Sequence, residues 1–387
     1  MNSATTNLTS RFALPWQGLR TRLAARASVR QAPPIGADFA AERLNLVQVA
    51  AHCGPGQKHS VHAAASVAYP LPREELFATP RVLRQFVQQA LASAPFAGRR
   101  IWSALSPADV RILPLTVSLA AGQSEAQAVA RAMREQLGAD AGDVVVDYYH
   151  IRSVDDDSAE RQVLVAVAPR TQVLAQLAVL EQAGLDPVAL DIGPAAIARL
   201  LAAIGSDDFN QSVLLINFGV HKSYLTVIWG RRLMLDREID FGETQLAGKL
   251  AQSLGMPAQI ARGLMFEHGI GARHAARGSA DGAGIASVIR EILHPEFRLL
   301  AEELLRTQVY VASRTRGSTL SRVYLNGSLA RYPDIGQRLA ELVALPVDVL
   351  DPFEAFLPAA EASPAFDGIG ANLALAAGLA LRGAPHG

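Results

Sequence analysis

The sequence predicts an α/β protein whose two halves repeat one order of elements around a cleft. Three observations predict this. Apolar, strand-like runs alternate with helical stretches along the whole chain. A β-hairpin followed by helix–strand units occurs once in each half. The run "VLLINFG" ends in a polar turn carrying Gly219, a shape that lets backbone amides approach a phosphate. Ligands of such sheets sit in the crevice at the strand ends.

Bulk properties narrow the class. The chain has 387 residues, enough for about two or three domains. Half its residues are hydrophobic, which is ample for a core, and its formal net charge is zero, which argues against a nucleic-acid partner. Cys53 is the only cysteine, so no disulfide forms within the chain. No apolar run reaches the roughly 18–20 residues that cross a bilayer. Arg11, Pro15 and Arg20 interrupt any signal-peptide core. The expectation is a soluble cytoplasmic protein.

The elements follow in order. Met1 to Pro34 carry Arg11, Arg20, Arg22, Arg26 and Arg30 and no acidic residue. Trp16, Leu19 and Leu23 recur at helical spacing. The segment reads either as a basic amphipathic helix touching anionic lipid or a partner, or as a disordered basic tail. "RLNLVQVAAHCGPGQKHSVHAAASVAYPLP" reads as a hairpin around a Gly-Pro-Gly turn. His52, Cys53, His59 and His62 gather at that turn, but their spacing matches no zinc pattern, and turns collect polar residues anyway. A helix is expected over Thr79 to Ser93, with Val82, Phe86 and Leu91 on its apolar side. Strands are expected at "RRIWSALS", "DVRILPLTVS", "DVVVDYYHIRSV" and "RQVLVAVAP", with a helix at "EAQAVARAMREQLG". "RTQVLAQLAVLEQAGL" is a helix ended by Gly184, and "DPVALDIGPAAIARLLAAIG" a strand and a helix opened by Pro194.

The second half opens with a strand–turn–strand from Val213 to Leu233, and "LMLDREIDFG" adds a strand. "ETQLAGKLAQSLG" and "PAQIARGLMFEHG" are helices. "IGARHAARGSADGAGIA" reads as a flexible loop from its Gly and Ala content. Ser287 to Arg314 is helical with a break near Pro295. "SRVYLNGSLARYPDIGQRLAELVALPVDVLDPF" is strand, turn, helix and strand, and "GIGANLALAAGLALRG" is a small-residue helix.

From about Asp38 to Gly383, the set of motifs resembles the PilM family, actin-like and FtsA-related proteins of type IV pilus assembly. The resemblance is carried by "AMREQLGADAGDVVVDYYHI" with its Asp147-Tyr148 pair, "LEQAGLDPVALDIGPAAIARL", "LLINFGVHKSYLTVIWGRRLMLDREIDFGETQL", "VYLNGSLARYPDIGQRLAELVALPVDVLDPF" and the closing "GLALRG". It implies an actin-like fold of duplicated ribonuclease-H-like lobes with an FtsA-type inserted small domain. The first lobe would comprise 35–108, 170–208 and 366–387, with 109–169 as the inserted small domain. The second lobe would comprise 209–243 and 315–365, with 244–314 as its helical insertion. Residues 1–34 would be the basic tail.

The resemblance also implies a nucleotide site of three elements, and each departs from the family pattern. The first hairpin, "DFAAERLN", keeps Asp38. Ala40 replaces the glycine, Ala41, Glu42 and Arg43 replace the hydroxyl cluster, and Asn45 replaces the lysine. A Cβ at Ala40 would obstruct the backbone if that turn needs positive φ. The second hairpin has Asn217 where Asp is expected, a weaker Mg²⁺ ligand, and keeps Gly219. Lys222 reads as a phosphate contact or a solvated turn lysine. The adenosine-side turn keeps Gly327 and has Ser328 for the second glycine. Asp191 reads as a group orienting Mg²⁺-bound water or as a helix cap.

The expectation is therefore weak or absent ATP and Mg²⁺ binding, no catalytic residue and no resident metal. The expected role is a non-enzymatic scaffold that binds the cytoplasmic tail of a PilN-like inner-membrane protein and other pilus or secretion components. It would sit in the cytoplasm, peripheral to the inner membrane. Val144 to Tyr149 read as a groove wall for that tail or as an ordinary core strand. The alternatives are an active actin-like ATPase or sugar kinase, and an FtsA-like division protein tethered through its basic N-terminus.

Overall fold

The computed structural model describes residues 32–50, 59–120, 122–138, 142–151, 160–205, 211–270, 280–315, 317–357 and 370–383. The basic segment up to Gln31, together with His52 and Cys53, lies outside the described residues.

Two five-stranded sheets share one topology. The first opens with an antiparallel meander of β1 (Ile35–Phe39), β2 (Arg43–Val49) and β3 (Val61–Ala68). Helices α1 (Arg73–Ala78) and α2 (Pro80–Ala92) lead to β4 (Arg100–Ala104), parallel to β1. A small antiparallel sheet follows, of β5 (Arg111–Ser118), β6 (Val144–His150) and β7 (Glu160–Pro169) in the order β5-β7-β6, with α3 (Glu125–Leu137) on one face. Helix α4 (Arg170–Gln182) returns the chain to β8 (Asp186–Asp191), parallel to β4, and α5 (Gly193–Ile204) leaves it. The order of the first sheet is β3-β2-β1-β4-β8.

The second sheet repeats the plan. A meander of β9 (Ser212–Phe218), β10 (Ser223–Trp229) and β11 (Arg232–Ile239) comes first. Four helices follow: α6 (Glu243–Leu254), α7 (Ala258–His268), α8 (Ala280–Ile292) and α9 (His294–Arg314). Then β12 (Leu320–Gly327), α10 (Ile335–Val343) and β13 (Val347–Val349) complete the order β11-β10-β9-β12-β13, with β12 and β13 parallel to β9.

The last helix, α11 (Ala374–Ala380), packs back on the first sheet and on α5. Its composition of Ala, Leu and Gly follows from backbone contact on two sides. A Cβ on Gly36 of β1 would lie 2.0 Å from the carbonyl oxygen of Ala376, and one on Gly378 would lie 2.2 Å from that of Ala196. No larger residue fits either position.

Two local expectations are corrected. The Gly-rich stretch Ile270 to Ala286 is not a loop throughout: α8 begins at Ala280, while 271–279 lie outside the described residues. Ala286, Ile289 and Leu293 are buried at helical spacing, so tertiary packing outweighs about 1 kcal/mol per helical glycine. The buried face of α2 is Leu83, Phe86, Val87 and Ala90, one residue around from the predicted stripe, with Val82 and Leu91 at its margin.

Candidate functional site

Asp38, next to last in β1, stands opposite Asn45 of β2. Antiparallel partners in direct register present their side chains on one face. Asn45 accordingly donates Nδ2 to Asp38 Oδ2 at 2.9 Å and accepts from Ser66 Oγ at 2.7 Å. Arg43 donates Nε to the same hydroxyl at 2.9 Å. A chain of hydrogen bonds thus runs across three strands and turns Asp38 toward its own sheet. Burial pushes its carboxyl up to about 6, against the pull of the Asn45 hydrogen bond and the Arg73 charge. The steric case against Ala40 does not hold. Positive φ is confined to other residues, so this turn needs no glycine, and the Ala40 carbonyl accepts the Tyr69 hydroxyl at 3.0 Å.

The second hairpin is held from outside. Asn217 stands between Tyr224 on β10 and Asn326 on β12. Asn326 donates Nδ2 to Asn217 Oδ1 at 3.2 Å. A Cβ on Gly219 would lie 2.1 Å from the Lys222 carbonyl oxygen, so close approach within the turn requires glycine there. Gly327 has φ +88°, and a Cβ there would lie 2.1 Å from the Phe218 carbonyl oxygen. The Ser328 hydroxyl donates to the Gly219 carbonyl at 3.2 Å. The first amides of α6 also point at the turn: Glu243 N–H donates to the Gly219 carbonyl at 3.3 Å and Thr244 N–H to that of Val220 at 2.9 Å. The first two α6 donors, of the kind that bind anions, are therefore occupied by the protein's own carbonyls. Lys222 pairs with Glu238, with Asp240 at 3.9 Å. The hydrogen bond to Glu238 raises the Lys222 pKa and lowers that of the carboxylate.

Asp191 ends β8 and is 4 % exposed. Its Oδ2 meets Arg199 of α5 and, at 2.5 Å, Arg382 beyond α11. Its Oδ1 accepts the Tyr149 hydroxyl of β6 at 3.0 Å and the Ile192 N–H at 2.8 Å. Burial pushes the carboxyl up, but the two guanidinium charges outweigh that and hold it below its ordinary value. The cap of α5 is Ile192, without a side-chain hydrogen bond, so Asp191 does not cap that helix. It instead ties the inserted sheet, α5 and the C-terminal turn together.

A cavity of about 430 Å³ lies between the second sheet, the start of α5 and the start of β5. Of the seven residues singled out from sequence, only Asn217 is among the described residues lining it. Gly219, Gly327 and Ser328 converge with Asn217 at the ends of β9 and β12. Lys222 is held by Glu238 of β11 and does not itself line the cavity, and Asp38 and Asp191 lie at the ends of strands of the other sheet, Asp38 one residue before the end of β1. Residues not foreseen complete the picture: Arg199 and Arg382 around Asp191, where Tyr149 joins them from the strand read as a groove wall or core strand, and Asp236 and Asn326 in the cavity wall. Asp236 accepts the Thr226 hydroxyl at 2.6 Å, and burial pushes its carboxyl up to about 6. Among the described residues no three His, Cys, Asp or Glu side chains stand where they could hold a metal, and no helix is long and apolar enough to cross a membrane.

Comparison with known proteins places this geometry. A solved PilM–PilN type IV pilus biogenesis complex superposes with a TM-score of 0.69 at 22% identity, covering 91% of this chain and 98% of that one. Ethanolamine utilization protein EutJ from Carboxydothermus hydrogenoformans matches at 0.47 and 17% identity, covering 94% and 98% of the two chains. MreB5 of Spiroplasma citri bound to ADP matches at 0.45 and 12%, covering 84% and 94%. The family model described as type IV pilus assembly protein PilM matches residues 36–384. The duplicated sheets are those of the actin-like fold, and the chain belongs to the type IV pilus assembly protein PilM family.

Proposed function

We propose that this protein is a non-enzymatic cytoplasmic scaffold of a type IV pilus or related secretion machine. In this reading it holds the cytoplasmic tail of a PilN-like inner-membrane protein beside its inserted small sheet. The observation that carries it is the seat of that sheet. Asp191 clamps β6 to the first sheet through Tyr149, while β6 remains an edge strand with Val145 and Val146 exposed. An edge strand with apolar side chains on a rigid base suits an extended peptide, which adds main-chain hydrogen bonds and fills side-chain positions. Val144 and Tyr148 pack into the small sheet's own core and Tyr149 against Ile192 and Ala195, so the docking positions are Val145, Val146 and the edge backbone.

The residues present do not fit Mg²⁺-ATP. Asp38 is turned onto Asn45, Asn217 onto Asn326 and Lys222 onto Glu238, and Asp191 is saturated. Metal-held phosphate needs free oxygen ligands and free backbone donors, and the α6 donors already serve the hairpin. A pseudo-ATPase follows. The test is calorimetric titration of the full chain with a synthetic PilN-like tail and, separately, with Mg²⁺-ATP. Micromolar tail binding that Val145→Glu abolishes supports the scaffold. A tail that does not bind, or Mg²⁺-dependent micromolar ATP binding with turnover, contradicts it.

A further inference from the structure

The cavity facing the second sheet is lined on that side by two rows of polar side chains. Register puts Glu238, Tyr224, Asn217 and Asn326 in one row across β11, β10, β9 and β12, and Asp236 beside Thr226 in the next row. All six line the cavity. The Thr226 hydroxyl reaches Asp236 Oδ1, and among the described residues no hydrogen bond reaches Oδ2. Asn326 is 8 % exposed, and its Oδ1 is buried without a partner. A buried acceptor left unpaired is costly, so the Asn326 oxygen, with the open Oδ2 of half-buried Asp236 in the same wall, asks for a donor. The facing wall is apolar: Ile192, Pro194, Ile197 and Leu375.

We infer that this cavity binds a primary ammonium group carried on an aliphatic stem, as in a lysine side chain or a linear polyamine. An ammonium brings three donors and a positive charge to Asp236, and its methylene stem lies against the apolar wall. A phosphate or other anion is disfavoured by Asp236, which has no ion pair among the described residues, whereas Glu238 already carries Lys222. The one basic group on the rim whose side chain is not engaged elsewhere, Arg111 of β5, makes no ion pair with either carboxylate among the described residues. The volume falls in the range of small-ligand sites, about 300–1,000 Å³. Burial without a cationic partner holds the Asp236 carboxyl high, as expected of a carboxylate waiting for a counter-charge. The inference does not rest on the tail-binding reading, because Val145 and Val146 lie outside this cavity.

The test is titration of the full-length protein at pH 8 with n-butylammonium, spermidine and Nα-acetyl-lysine methylamide, with 1-butanol and MgCl2 as controls. Saturable binding of the ammonium probes is expected, at least tenfold tighter than 1-butanol. D236N is expected to weaken it at least tenfold while melting at or above the parent's temperature at pH 8, since it removes a carboxylate held high by burial, and D240N, at a carboxylate outside the cavity, to leave it unaltered. N217D adds a carboxylate to the same row and is expected to tighten binding two- to fivefold, which keeps the idea testable if D236N does not fold. Preference for the lysine derivative assigns a peptide source, and preference for spermidine a free polyamine. Equal binding by D236N, equal affinity for 1-butanol, competition by millimolar Mg²⁺ alone, or no ammonium binding would overturn the inference.

Discussion

The two hairpins occupy equivalent places in two sheets of one topology, but their turns are built differently. The first has a carboxylate, Asp38, with Ala40 in the turn. The second has Gly219 in the turn, with Asn217 near the strand end. The structure gives each an internal reason. Asp38 is the end of a hydrogen-bonded chain across β1, β2 and β3. Gly219 is required by the Lys222 carbonyl beside it. A residue that matches a nucleotide motif can thus be one that the lobe is built around, and the match alone does not argue for a ligand.

Breaking the most deeply embedded group has the largest effect. D191N leaves Arg199 and Arg382 without their counter-charge, and by analogy with broken buried pairs the loss is about 3–5 kcal/mol in denaturant unfolding. The Asp191 carboxyl is held below its usual value, so its stabilisation is present at neutral pH and disappears on acidification below the ordinary carboxylate range. The same scan on D191N should lack that acid-side loss. Next, G219A forces the Lys222 carbonyl aside at an expected 1–3 kcal/mol, whereas A40G, where no positive φ is needed, costs only about 0.5–1 kcal/mol of chain entropy. Equal effects of the two would erase the contrast between the hairpins.

Asp38 behaves oppositely to Asp191. Its folded pKa, about 6, lies above the ordinary 3.8. The native state therefore holds the proton longer, and stability falls as pH rises from about 4 to about 6. D38N removes that fall. It is expected to be more stable than the parent at pH 7.5 by up to ~3 kcal/mol, from about two units at ~1.4 kcal/mol each. The gain should vanish near pH 4, and thermal melts at the two pH values read it. Smallest of all, K222A removes an exposed ion pair and is expected to leave the melting temperature unchanged.

Much of this was legible from local pattern. Most of the element order, the β2–β3 and β9–β10 hairpins and the Pro295 break follow from period-two and helical spacing, because those signals are short-range, whereas the β1–β2 hairpin at Asp38 was implied only by the family resemblance. The identities of the site residues were only partly legible. Arg382 and Tyr149 reach Asp191 from distant parts of the chain, and nothing local marks them as its partners. Asp236 sits in "LMLDREI", where Leu233, Met234 and Leu235 are all buried, so alternation could not assign it to a face. The start of α8 was hidden because two glycines lower local helix propensity while the packing of Ile289 and Leu293 restores it.

In the proposed scaffold, partner binding belongs to the small-sheet edge and owes nothing to a nucleotide. Titration of the full chain with the PilN-like tail in the presence and absence of millimolar Mg²⁺-ATP decides this. One affinity under both conditions is expected, with no heat from Mg²⁺-ATP alone. Micromolar Mg²⁺-ATP binding that shifts the tail affinity tenfold or more would contradict it.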